Sequence, residues 1–279
     1  MKILRTICST TVLVVALLLP VAARAQQPLP AEGNESQLLV ILNSDAELFA
    51  KAKACQRLAI IGTSKSVPVI AQFLADPVLS HYARFALEAN PSPEVDKVFR
   101  GSLSELKGRQ LVGVINSIAT RKDTQSVPSL LLLAAGDNIE VAAAALSALG
   151  MLATAESINA VEQALSQKPA LRVTAADACL TAADQLLVGG KNAAALRILT
   201  ALRKADLPKH INVASRLGEI RAGSQNVNEL MNSYLQDQDP ALFRIGLELA
   251  QHLTDAETTV QLLKQLEAMP PTRQVLLMY

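Results

Sequence analysis

From about residue 45 to the last residue, apolar positions recur three and four apart in helix-length runs, broken by short clusters of Gly, Pro, Asp, Asn and Ser. That spacing gathers the apolar side chains on one face of an α-helix. No stretch shows a convincing strand alternation, so the pattern predicts an all-α fold. The helices also repeat in pairs. Thr63-Ser64-Lys65-Ser66-Val67-Pro68 recurs as Asp123-Thr124-Gln125-Ser126-Val127-Pro128 and again as Thr154-Ala155-Glu156-Ser157-Ile158-Asn159, at offsets of 60 and 91 residues, two and three times a period near 30. A unit of that length is a helix, a turn and a second helix, and it buries its apolar face only against its neighbours. The expected architecture is an α-α superhelix, a solenoid of about seven helix pairs plus an N-terminal capping helix.

The punctuation places the units. A short helix over about 36–42 would cover the open end of the first pair, and Ser44-Asp45-Ala46-Glu47 reads as a capping box, Ser accepting from the third helical N–H while Glu reaches back. Repeat one then covers 45–75, with a turn at Gly62 where a positive φ is cheap. Asp76-Pro77 opens repeat two and Ser92-Pro93 its second helix. Repeat three starts near Lys107-Gly108 and turns at Arg121-Lys122-Asp123; repeat four opens with a second capping box, Asp137-Asn138-Ile139-Glu140. Repeat five starts at Pro169 and turns at Gly189-Gly190, and repeat six starts near Pro208 and turns at Gly223-Ser224. Repeat seven opens with Asp239-Pro240, its second helix with Thr254-Asp255-Ala256-Glu257. Pro270-Pro271 occupies the start of an eighth unit that stops half-way through its first helix, so the solenoid over 36–279 is expected to be incomplete at its C-terminus.

Residues 1–25 differ in kind. Lys2 and Arg5 precede an apolar run over 11–19, and Ala23-Arg24-Ala25 is a small-x-small cleavage site, together a secretory signal peptide. Residues 26–35 form a polar, Pro-bearing linker, within which Asn34-Glu35-Ser36 matches a glycosylation sequon. The chain is therefore expected to be exported, to a periplasmic or extracellular location, with no membrane insertion after cleavage. Removing 1–25 turns the formal charge of +1 into −2, which supplies no general attraction for nucleic acid or anionic lipid. Aromatic residues are 3% of the chain and Trp is absent, so base- or sugar-stacking platforms are scarce. Cys55 and Cys179 each sit on an apolar helical stripe, four repeats apart. At about 10 Å per helix layer they lie roughly 40 Å from each other, against a disulfide limit of about 7 Å, and are expected as buried free thiols.

The stretch Val141-Ala-Ala-Ala-Ala-Leu-Ser-Ala-Leu-Gly150, followed by Ser157-Ile158-Asn159-Ala160-Val161-Glu162-Gln163-Ala164-Leu165, resembles a HEAT-like repeat of the phycobilisome-lyase type. Residues 52–63 followed by 66–70 resemble it too. With the signal peptide, the chain is similar to the exported HEAT-repeat proteins of planctomycete- and verrucomicrobia-type bacteria. The resemblance covers about 45–279 through core and cap positions, and departs in length and composition in repeats five to seven. It implies an armadillo-like helical fold whose second helices line the concave face.

Chemistry-bearing patterns are few. His81, His210 and His252 fall in three different repeats and are followed by Tyr82, Ile211 and Leu253, so neither H-E-x-x-H nor the His-Glu pairs of a related di-iron hydroxylase family occur. No haem-attachment, nucleophile-elbow or phosphate-loop motif is present. Asp237-Gln238-Asp239 lacks the glycine and closing Glu of a calcium loop and reads as a helix cap. No catalytic, cofactor-binding or metal residue is therefore assigned, and no cofactor is expected. Residues 196–221 carry Arg197, Arg203, Lys204, Lys209, Arg216 and Arg221 against two acids, while 228–269 carry a local −5. That contrast is either a docking site for an anionic partner or complementarity between neighbouring repeats. Arg100, Arg109 and Arg121 either line a ridge or cover helix ends. The expected function is a non-catalytic exported scaffold binding a protein or peptide along its concave face. The alternative is a repeat module of a larger exported oxidoreductase or a bilin- or haem-handling protein.

Overall fold

The computed structural model describes residues 34–223, 227–252 and 256–278. The expected signal peptide, most of the expected linker and residues 254–255 lie outside the described residues. Those described are all-helical: sixteen α-helices, two short 3-10 turns and no strand. In order these are α1 (Glu35–Asn43), α2 (Leu48–Ile61), α3 (Val67–Ala71), α4 (Ser80–Ala89), α5 (Glu94–Glu105), α6 (Gly108–Thr120), α7 (Val127–Ala135) and α8 (Ile139–Leu152). Then follow α9 (Ala155–Gln167), α10 (Arg172–Val188), α11 (Asn192–Lys204), α12 (Lys209–Arg221), α13 (Val227–Gln236), α14 (Pro240–His252), α15 (Ala256–Ala268) and α16 (Pro271–Met278).

Side-chain caps set several of the starts. Asn34 accepts from the Gln37 N–H at α1, Asn138 from Val141 at α8 and Thr154 from Ser157 at α9. Asp76 takes the N–H groups of Val78 and Leu79, beginning the turn that leads into α4. The repeated motif keeps one feature in its three copies: the serine (Ser66, Ser126, Ser157) is fully buried and bonds the residue three before it, through the Thr63 carbonyl, the Asp123 carboxylate and the Thr154 hydroxyl. The backbone differs, a turn at Ser66, a 3-10 helix at Ser126 and the first turn of α9 at Ser157.

Three local expectations are corrected. Ser44 does not open a capping box: its hydroxyl donates to the Ile41 carbonyl and accepts from Ala46 N–H, ending α1, while α2 begins only at Leu48. At α8 the cap is Asn138 itself, so Glu140 lies in the first turn, one position short of reaching back. Gly62 has φ −66°, so a left-handed turn is not its purpose. A Cβ there would stand 2.5 Å from the Leu58 carbonyl oxygen and 2.8 Å from Ser66 Oγ. Glycine is required by closeness.

Packing runs in two series. Each odd helix lies against the even helix that follows it, from α1 on α2 to α15 on α16. Even helices also pack on one another in sequence: α2–α4–α6–α8–α10–α12–α14. Odd helices touch mainly across α1–α3–α5 and α7–α9. For most helices the tighter pairing is thus one helix out of phase with the sequence division, which joined α2 to α3 and α4 to α5. The exceptions are α9 and α11, which pack on even helices to both sides, α9 between α8 and α10 and α11 between α10 and α12.

Small residues bring the even helices close. Ala142, Ala145 and Ala148 of α8 and Ala175, Ala178 and Ala182 of α10 are buried, and Gly150 lies at the closest approach. A Cβ on Gly150 would stand 2.5 Å from the Ala178 carbonyl oxygen and 2.9 Å from its Cα. Leucines fill the remaining volume, Leu146 and Leu149 among them, each worth about 1.5–3 kcal/mol when fully buried.

Polar ties cross from unit to unit at about one period. Asn90 Nδ2 donates to the Thr63 carbonyl (2.9 Å), and Arg121 donates to the Leu87, Glu88 and Asn90 carbonyls at the end of α4 while its Nε meets Asp96. Further along, Lys168 Nζ donates to the Ala134 carbonyl (2.7 Å), Arg197 to Glu162 (2.8 Å) and Arg221 to Asp184 (2.8 Å). These partners are separated by 25 to 37 residues.

Replacing Gly150 by Ala should lower stability by about 2 kcal/mol or more, because backbone on α10 cannot swing aside. Gly101 on α5 has nothing within 4 Å of its Cβ position, and Gly101→Ala should raise stability by about 0.5–1 kcal/mol. Urea unfolding of the two variants beside the wild type measures both.

Candidate functional site

The sequence left catalytic and metal residues unassigned, and the candidate groups lie apart. His81 is exposed on α4 with its ring 3.8 Å from that of Tyr82, His210 is exposed at the start of α12, and His252 ends α14. Among the described residues, no three His, Cys, Asp or Glu side chains gather as metal ligands would. Asp239 caps α14 through the Ala241 N–H, and Asp237 accepts from the Asp239 N–H, the arrangement of a helix start.

The basic stretch is largely answered by acids on neighbouring helices. Arg197 meets Glu162, Arg203 meets Glu219, Lys209 meets Asp239 at 2.6 Å and Arg221 meets Asp184. Arg216 lies over the Tyr234 ring, 5.0 Å from its centroid. Among the described residues the basic stretch is thus paired mainly with Glu162, Asp184 and Glu219, and with the acidic stretch 228–269 through Lys209–Asp239. Arg100 pairs with Asp123 at 2.6 Å, Arg121 covers the end of α4, and Arg109 is exposed at the start of α6. Two of these arginines hold turns together, so the three do not form a common ridge.

One cluster escaped the sequence reading. Glu219 of α12 is 2% exposed; its Oε1 accepts from Thr200 (2.7 Å) and from Arg203 Nε (3.1 Å), both on α11. Tyr234 of α13 is fully buried beside Arg216. The signal was an acid on a buried stripe: Ile211, Ser215 and Glu219 follow one another at intervals of four.

Several groups have displaced pKa values. Burial raises the Cys55 thiol to about 11. Burial, with Glu162 adding and Arg197 opposing, raises Cys179 to about 12. Neither thiol is a nucleophile at neutral pH, and both are free and buried as expected. Burial also raises the Tyr234 phenol, against the opposing charge of Arg216. Asp239 is lowered by its hydrogen bond with Lys209 and then by the Ala241 N–H. At Glu35 burial pushes upward but is outweighed by the Thr63 N–H and hydroxyl, with Ser66 and Lys65 adding, so its carboxyl lies below the usual value.

A hollow of about 210 Å³ lies between α13, α15 and α16, lined by Leu235, Gln265, Met269 and Arg273 among others. Arg273 is committed there: it stacks over Phe243 at 4.5 Å and donates to the Asp237 and Gln238 carbonyls. No helix among the described residues is long and apolar enough to cross a membrane. Comparison with protein-family models finds no match for this chain, and comparison with curated proteins finds none.

The broad surface carries more. Most large apolar side chains that remain exposed belong to even helices, including Phe49 and Ile60 of α2, Phe85 of α4, Met151 of α8, Val188 of α10 and Leu217 of α12. On α2, Phe49, Lys53, Gln56 and Ile60 form one exposed or half-exposed stripe. On odd helices Val40 of α1, Leu132 of α7 and Val260 and Leu263 of α15 are exposed, Leu132 most of all at 77%.

Glu35 ties α1 to the α2–α3 turn through its ionised form. Its folded value is lowered, so its contribution is whole above the ordinary glutamate range and is lost as pH falls through that lowered value. Glu35→Gln should therefore melt below the wild type at pH 7, with the gap closing as the solution is acidified. Thermal melts of both proteins over that pH range are the check.

Proposed function

We propose that the helices stack as a HEAT-like solenoid and that the protein is an exported, non-catalytic scaffold holding a protein or peptide partner along its concave face. The observation that carries this reading is the apolar exposure concentrated on the even helices. Isolated exposed apolar residues need no explanation, but a series of them along one layer is what a partner surface requires.

The even layer is also the better candidate for the inner one. Its members pack on one another without interruption from α2 to α14, and Gly150 lets α8 close onto α10. Contact between odd neighbours is slighter, and the layer with closer neighbours lies on the inside of a bent stack. On this reading the working face lies on the first helix of each repeat, where the resemblance implied the second. Export rests on the N-terminal pattern of charge, apolar run and Ala23-Arg24-Ala25.

The test uses tagged protein recovered from the exported fraction, whose N-terminal sequence should begin at Gln26. Partners are captured from that fraction and quantified by mass spectrometry. Phe49→Asp/Phe85→Asp should lose a stoichiometric partner at least tenfold, while Leu132→Asp on the odd layer should retain it. Loss by Leu132→Asp with retention by the even-layer variant overturns the assignment of the face. A chain that captures no stoichiometric protein overturns the scaffold.

A further inference from the structure

Among the described residues the buried apolar side chains fall into two clusters. One runs from Leu38 to Ala222, through α1–α12. A second joins α13, α14 and Met269, with Leu262 of α15 packed against it. Helix α12 faces both, giving Ile211 (and Ala222 just past its end) to the first and packing Val213 and Ile220 against the second.

The polar cluster described above lies at that division. Glu219 Oε2 is 3.0 Å from Arg203 Nε, but the N–H is directed at Oε1, and Oε2 is left without a hydrogen bond. Arg216 Nε and the Tyr234 hydroxyl are likewise buried and find no hydrogen-bond partner on the protein. Three of the six such atoms among the described side chains therefore belong to this one cluster. A buried polar atom without a partner costs about 1–3 kcal/mol, which it does not cost once the region opens to water. The Lys209–Asp239 pair that bridges α12 and α14 offsets little, since the lysine is 64% exposed. Elsewhere, as between α8 and α10, the joint is apolar and closed to the backbone.

We propose that the packing joint of α12 against α13 and α14 is a built-in point of opening, across which α13–α16 separate as a block while α1–α12 stay folded. The device lets the last two pairs change direction relative to the rest of the stack without disturbing its main core. It is independent of the partner-binding reading, since it rests on the two cores and the cluster between them.

Hydrogen exchange of the full chain in sub-denaturing urea, followed by mass spectrometry, tests this. Amides of α13–α16 should exchange together, at a lower urea concentration than those of α2–α11. Tyr234→Phe removes one partnerless hydroxyl and keeps the ring under Arg216. It should slow that exchange about fivefold and leave α2–α11 unchanged, a gain of the size expected for one such group. Arg216→Leu/Glu219→Leu, with an apolar joint, should bring the two blocks together in their urea dependence. Exchange of α13–α16 in step with α2–α11 in the wild type overturns the proposal, as does faster exchange of α13–α16 in Tyr234→Phe.

Discussion

The close approach of successive even helices is the constraint on which the rest of the structure depends. Gly150 against the backbone of Ala178 is its tightest point, and the alanines of α8 and α10 extend it along both helices. Small side chains let two helices meet with little side-chain entropy lost, and leucines behind them exclude water. Because each even helix meets the next, an odd helix need only lie against that layer. This accounts for α3, a helix of five residues too short to hold itself together, which is kept in place by Val67 and Ile70 in the shared core.

A second set of bonds works at the same period. Asn90, Arg121, Lys168, Arg197 and Arg221 each reach a group roughly one unit away, most often a carbonyl at a helix end. Such ties add modestly to stability, and their larger effect is on register. A neighbour shifted by one helical turn would leave Arg121 facing apolar side chains and the last carbonyls of α4 unpaired. Basic residues that look surplus in the sequence are mostly occupied in this way. The cluster around Glu219 departs from the pattern, being buried deeply and only half satisfied.

Much of the local structure was legible because turns are read at short range. The three copies of the Thr63–Ser66 motif, the caps at Asp76 and Thr154 and the buried stripes of Cys55 and Cys179 all follow from residue type and spacing. Misreadings arose where two local structures compete for one residue. Ser44 can open α2 or close α1, and nothing within four residues decides it. Gly62 was read as a conformational device, whereas a neighbouring carbonyl and hydroxyl dictate it. Which helices pair most tightly was illegible, because a groove between two helices is a property of the assembled layer. The Tyr234–Arg216 contact joins separate units, and periodicity carries no record of it; Glu219 alone, an acid on an apolar stripe, pointed to it.

The exposed apolar residues of the even helices are the surface on which the proposed partner role rests. That surface has value only if the units extend in a line. Small-angle X-ray scattering of the chain from residue 26 onward measures this directly. A compact domain of that length has a radius of gyration of about 18 Å. Eight pairs stacked at about 10 Å per layer should give about 23 Å or more, with a pair-distance distribution skewed to long distances. A symmetric distribution with a radius near 18 Å would contradict the account.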